Sequence, residues 1–116
     1  MEKEELKNKN KINIDILKVI TYSDLESEFE YDESKSRSNE EKHGIDFKEA
    51  QRLWDGVYVK LNARKRGERR FLYIGVIDGR HWTVVVTMRG GKKRIISARK
   101  STKSEVKLYV KKNYGG

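Results

Sequence analysis

His43 and five arginines carry the side chains best suited to chemistry in this chain. His43 lies in NEEKHGIDF, residues 39–47, directly before Gly44 and at the end of a strongly charged run. A histidine in the last turn of a helix faces the negative end of the helix dipole, which favours its protonated form. Such an imidazole can give or take a proton near neutrality; the same placement equally suits a side chain that only complements the dipole. Arg69 and Arg70 open one alternating apolar run, Arg89 ends the next, and Arg94 and Arg99 lie on the third. In an antiparallel meander the start of one strand lies beside the end of its neighbour. Arg70 and Arg89 should therefore meet at the end of the sheet opposite the Asp78-Gly79 turn, where Arg94 also begins. Guanidinium groups gathered there can hold a phosphate through paired N–H donors. They can also serve only to solvate and protect strand ends. His81, at the start of a strand, offers less.

Other chemistries find little support. Two histidines, no cysteine and no acidic cluster in the basic half give no metal-ligand set. Gly90-Gly91 reads as a hairpin turn, not a phosphate loop, and no cofactor motif is present. No serine has a histidine and an acid in a hydrolase arrangement. Metal-free cleavage of RNA remains open, because RNA carries its own nucleophile in the 2′-hydroxyl. An enzyme then needs a base, an acid and cations facing the charged phosphorane.

Charge favours a polyanionic partner without requiring one. The net charge is +9, with residues 1–49 at −5 and residues 50–116 at +14. A field of that size concentrates polyanions and speeds their arrival, though a solubilising surface has the same composition. The chain has 116 residues, enough for one small domain, with eleven aromatic residues to build its core. The absence of cysteine suits a reducing compartment. No segment approaches the ~20 apolar residues of a membrane span, and the charged start is not the pattern of a secretory leader. The expectation is a cytoplasmic protein without a membrane segment.

The elements that must position these residues can be read from periodicity. In residues 12–20, Ile12, Ile14 and Ile16 fit a strand while Ile12, Ile16 and Ile20 fit a helix, and both stay open. Asp32 can cap a helix from Glu33 to His43, ended by Gly44. Asp46 and Glu49 open a second short helix, Phe47 to Trp54, stopping near Gly56. Alternation then predicts strands over 57–62, 69–77, 81–89 and 93–100, with ARKRGE as a basic loop and Asp-Gly and Gly-Gly as hairpin turns. Thr102 and Glu105 form a capping box for a closing helix, Ser104 to Lys112. The fold class expected is α+β: two N-terminal helices, a four-stranded antiparallel meander and a C-terminal helix. One sheet face should pack on helices and the other meet solvent or a ligand.

Three ordered motifs resemble the BrnT-type toxins of bacterial type II toxin–antitoxin modules. They are FEYDESKSRSNEEKHGIDF (29–47), GERRFLYIGVIDGR (67–80) and TMRGGKKRIISARKS (87–101). The resemblance divides the chain into an N-terminal extension, 1–28, and a toxin domain, 29–116. It implies a RelE-like fold and a ribonuclease activity that arrests translation. It also implies neutralisation by a BrnA-type antitoxin, whose ribbon-helix-helix part would bring the complex to DNA and repress the operon. Lys35, Asn39, Lys42 and His43 match the first motif, Arg70 the second, and Arg89, Arg94 and Arg99 the third. The resemblance makes His43 the general acid or base and puts Arg70 and Arg89 on the scissile phosphate. Lys35, Asn39, Lys42, Arg94 and Arg99 would bind RNA. Arg69 and Met88 depart from the pattern, standing where relatives often carry glutamate, so no acidic general base is expected.

Two other functions fit the same residues. A non-catalytic nucleic-acid module would use the basic sheet for phosphates and Tyr73 or Trp82 for base stacking, although both aromatics belong to alternating apolar strands and so suit the core better. An inactive toxin that still binds its antitoxin would act only in transcriptional autoregulation.

Overall fold

The computed structural model describes residues 28–115; the reading of residues 12–20, and the extension to which they belong, lie outside the described residues. The order of elements is β1 (Phe29–Glu30), α1 (Glu33–His43), α2 (Phe47–Ala50) and a 3₁₀ turn (Gln51–Asp55). Then come β2 (Tyr58–Lys65), β3 (Glu68–Ile77), β4 (Arg80–Arg89), β5 (Lys92–Lys100) and α3 (Lys103–Val110), which runs on into a π-helical turn, Lys111–Gly115.

Local chemistry sets the helix ends. The Asp32 carboxylate accepts from the backbone N–H of Ser34 and Lys35, and Gly44 closes α1 in the left-handed conformation at φ 84°. Asp46 accepts from Glu49 N–H to start α2. Thr102 and Glu105 make both halves of the capping box on α3. The expected helix from Phe47 to Trp54 is helical in the α sense only to Ala50. It then tightens into the 3₁₀ turn before Gly56.

The sheet is five-stranded and mixed, in the order β1-β5-β4-β3-β2. This corrects the four-stranded antiparallel meander. The meander forms, but Phe29 and Glu30 add a strand parallel to β5 opposite Lys93 and Arg94. Two residues give too little alternation to be read as a strand. A second correction concerns ARKRGE, which is not a loop: β2 continues to Lys65 and turns sharply on Arg66 and Gly67. All three hairpins turn on two residues of positive φ: Arg66-Gly67, Asp78-Gly79 and Gly90-Gly91. That geometry matches the twist of the flanking strands.

One face of the sheet packs against α1, α2 and the 3₁₀ turn. Ile45, Phe47, Ala50 and Leu53 bury against Tyr73, Trp82, Val84, Val86, Ile95 and Ala98. Burying a side chain such as Phe47 contributes roughly 1.5–3 kcal/mol. On the other face α3 covers only part of the sheet, through Tyr109 on Val59 and Ile74. The uncovered part of that face, at the end away from the Asp78-Gly79 turn, carries Arg70, Arg89 and Arg94.

An irregularity in β5 sets which arginines reach that face. Val86 pairs with Ile95 but Val85 pairs with Ser97, so Ile96 is the extra residue of a bulge. Arg94 and Arg99 are an odd number of residues apart and would point oppositely in a regular strand. The bulge restores them to one face, opposite Thr87 and Thr83, and lets both Ile95 and Ala98 enter the core.

Candidate functional site

Helix α1 brings Lys35, Ser38, Asn39, Lys42 and His43 toward the β5 bulge. Residues three, four and seven apart share a helix face, and here that face is polar. Few apolar side chains are available to dock this helix, so hydrogen bonds fix it. Ser36 Oγ accepts from Phe47 N–H at 2.8 Å. Asn39 is buried; its Nδ2 donates to Ile45 O and to Ala98 O, each at 2.8 Å, and its Oδ1 accepts from Ala98 N–H at 3.3 Å. The amide of Asn39 is therefore committed to the backbone of α1's neighbours.

Two adjoining pockets result. One, of about 380 Å³, is lined by Lys35, Ser38, Asn39, Lys42, His43, Ile96 and Ser97. The other, of about 340 Å³, is lined by Lys35, Glu68, Arg70, Thr87, Met88, Arg89, Arg94 and Ile96. Lys35 and Ile96 belong to both, which makes them halves of one groove. The structure thus gathers Arg70, Arg89 and Arg94 in one half and places His43 and Lys42 in the other.

The groove is strongly cationic. Its lining holds Lys35, Lys42, Arg70, Arg89 and Arg94, and a single carboxylate, Glu68. Glu68 pairs with Arg70 at 2.9 Å, and Glu30 from β1 pairs with Arg94 at 3.2 Å. Half-exposed pairs of this kind contribute little to stability, but they aim the guanidinium groups. Arg70 Nε is buried without a hydrogen-bond partner among the described residues. Lys35, Lys42 and Arg89 have no ion-pair partner among them either.

Arg99 takes a different place. It grips Glu105 with two hydrogen bonds, 2.8 and 3.0 Å, and does not line the groove. Glu105 also accepts from Thr102 N–H and the Thr83 hydroxyl. Partial burial pushes the Glu105 carboxyl up, but the bonds from Arg99, Thr102 and Thr83 outweigh it and hold it down at about 2. The same bond raises the Arg99 guanidinium above its usual value. This cluster anchors α3 to the sheet. His81 packs edge-on against Tyr109, with ring centres 5.1 Å apart, outside both halves of the groove.

Tyr73 and Trp82 are buried in the core, 1% and 7% exposed, so neither is available to stack on a base. Sequence reasoning did not single out Ser38, Glu68, Thr87, Ile96 or Ser97, which complete the lining. The odd spacing of Arg94 and Arg99 around the apolar pair Ile95 and Ala98 was the available signal for the bulge that brings Ile96 into the groove lining. No group of three or more metal-ligating side chains occurs among the described residues, nor any helix long and apolar enough to cross a membrane.

A search of curated proteins finds no relative. The family described as the ribonuclease toxin, BrnT, of type II toxin–antitoxin systems matches residues 31–105, from the residue before the α1 cap to Glu105 on α3. That segment holds every residue of the groove and well over half of the chain, which therefore belongs to the BrnT family of ribonuclease toxins.

Proposed function

We propose that this chain is the toxin of its module, an endoribonuclease that cuts RNA without a metal and so arrests translation. In this reading the α+β domain, residues 29–116, is RelE-like and works in the cytoplasm. A BrnA-type ribbon-helix-helix antitoxin neutralises it, and DNA is reached only through that complex. The observation that carries the reading is the continuity of the groove. Lys35 and Ile96 join the half holding His43 to the half holding Arg70, Arg89 and Arg94.

The chemistry follows from the order of groups along the groove. The scissile phosphate lies over Lys35, between the imidazole on one side and the guanidinium groups on the other. The 2′-oxygen attacks phosphorus, the bond to the 5′-oxygen breaks, and a cyclic phosphate and a free 5′-hydroxyl result. His43 takes the proton of the attacking hydroxyl or supplies one to the departing oxygen. Arg70 and Arg89 face the charge of the phosphorane. A phosphate oxygen would also satisfy Arg70 Nε, a donor whose burial without a partner costs about 1–3 kcal/mol. Lys42 and Arg94 hold flanking phosphates. Asn39 and Arg99 act through the framework instead, because both are held by other parts of the protein. The lining disfavours a divalent cation, since its one carboxylate already answers an arginine. An acidic partner segment that covers these cations would exclude RNA by occupying the same charges.

The test is cleavage of a labelled RNA in the presence of a chelator, with the parent and with His43→Ala, Arg70→Ala and Arg89→Ala. Cleavage should persist in the chelator and vanish when antitoxin is added. Loss of an acid–base group lowers the rate by ~10²–10⁴-fold. Folded variants cutting as fast as the parent would overturn the site. One observation favours a second reading, a binding module without catalysis: His43 and the arginines line adjacent pockets, not the same one. Salt-sensitive binding of RNA with no products would select it.

A further inference from the structure

The groove does not stop at Arg70. Its arginine-rich half shares Glu68, Thr87 and Met88 with a further depression of about 380 Å³, completed by Arg69 and Phe71. Alternation along β3 turns Arg69 and Phe71 to the face opposite Arg70, so this depression continues the groove around the end of the sheet. Its character changes there. Phe71 and the 39%-exposed Met88 supply an apolar floor, with Lys60 Nζ 4.8 Å from the Phe71 ring centre.

We propose that this depression is a nucleobase subsite that takes the base next to the phosphate held by Arg70 and Arg89, with guanine preferred. The proposal rests on the ribonuclease reading of the adjoining groove. A thioether and a guanidinium plane both lie favourably against the face of any base. A base can enter such a site only when it is free of a duplex, so the substrate is single-stranded RNA.

The edges of the depression select among bases. Glu68 Oε1 accepts from Arg70 Nη2 at 2.9 Å, while Oε2 has no partner among the described residues. The Thr87 hydroxyl donates to Arg69 O at 3.2 Å, so what it offers a ligand is lone pairs. Both groups are acceptors toward the base. Guanine presents two adjacent donors, N1–H and the 2-amino group, to a carboxylate. Uracil presents one N–H between two carbonyls, and adenine and cytosine each set one amino group beside an acceptor nitrogen. The Arg69 guanidinium can answer the guanine O6.

Binding of 2′-O-methyl oligonucleotides tests this without cleavage. Fluorescence anisotropy compares a hexauridylate with the same strand carrying one guanine. The parent should bind the guanine strand ~10-fold tighter, the scale of one good base-edge pair. Glu68→Gln should bring that ratio toward one. Because Glu68 also touches Arg70, the ratio is the readout and not the absolute affinity. Met88→Ala should weaken both strands severalfold and leave the ratio in place. Equal affinity of the parent for both strands, or a ratio untouched by Glu68→Gln, overturns the subsite while leaving the groove's ribonuclease reading intact. Failure of the parent to bind either strand overturns both.

Discussion

Asn39 and Ala98 hold one another across the seam between α1 and β5. The side-chain amide donates to Ala98 O at 2.8 Å and accepts from Ala98 N–H at 3.3 Å. β1 covers β5 only at Lys93 and Arg94. Farther along, the side chain of Asn39 supplies the donor and acceptor that a neighbouring strand would. The same bonds set α1 at the height where Lys35 and His43 flank Ile96.

Asn39→Ala is therefore expected to lower stability by ~2–4 kcal/mol, since it leaves the Ala98 N–H and two buried carbonyls without partners. Asn39→Asp should not restore it. The aspartate keeps an acceptor but turns a carboxylate toward the oxygens of Ile45 and Ala98. Urea unfolding measures both, and an Asn39→Ala midpoint equal to the parent's would remove this interaction from the account.

The Arg99–Glu105 cluster predicts an acid dependence with a definite sign. The Glu105 carboxyl is held at about 2, against an ordinary 4.5. A depressed acid adds stability that is complete above its unfolded value and is lost as pH falls through its folded one. The shift corresponds to ~3 kcal/mol. With Arg99 31% exposed on its side chain, screening leaves ~1–2 kcal/mol. Glu105→Gln should be less stable than the parent at pH 7 by that amount. The difference should shrink between about pH 4.5 and pH 2, and a constant difference across that range would contradict it.

Gly75 and Leu53 set the contact between the sheet and the 3₁₀ turn. A Cβ on Gly75 would lie 2.7 Å from Leu53 Cγ and 3.0 Å from its Cδ2, and Leu53 is fully buried. Gly75→Ala should cost ~1–3 kcal/mol by overpacking. Adding Leu53→Ala should make the double variant more stable than the sum of the two single costs predicts. Strict additivity in thermal unfolding would mean that the two sites do not touch.

Legibility in the sequence followed the range of the interaction. The bounds of α1 are written in Asp32 and Gly44, within one turn of where they act. The Asp-Gly and Gly-Gly turns announce their hairpins in the same way. Arg66-Gly67 makes the same turn but is hidden, because its charged neighbours look like a loop. β1 exists only because β5 offers an edge. The roles of Asn39 and Arg99 depend on partners set by the packed fold, with Asn39 bonding 59 residues along the chain. Motif resemblance identified Asn39 and Arg99 as residues of interest, yet it could not reveal that one mimics a strand and the other anchors a helix. The meander alone brings Arg70, Arg89 and Arg94 to one end of the sheet. The lining by Ile96, Thr87 and Glu68 depends on the bulge and on register.

Salt dependence of RNA binding tests the arginines that line the groove against the one that faces the protein. Binding of single-stranded RNA weakens with salt with a logarithmic slope near −0.7 for each phosphate neutralised. Arg89 lines the groove with no partner among the described residues, so Arg89→Ala should weaken binding and make the slope shallower by ~0.7. Lys35→Ala, at the junction of the two halves, should do the same. Arg99→Ala should lower stability while leaving the slope of the folded protein unchanged, because its charge is already answered by Glu105. Titrating a fluorescent RNA at several salt concentrations with each variant reads the slopes directly. A shallower slope for Arg99→Ala, or an unchanged one for Arg89→Ala, would mean that the polyanion lies on a different part of this face.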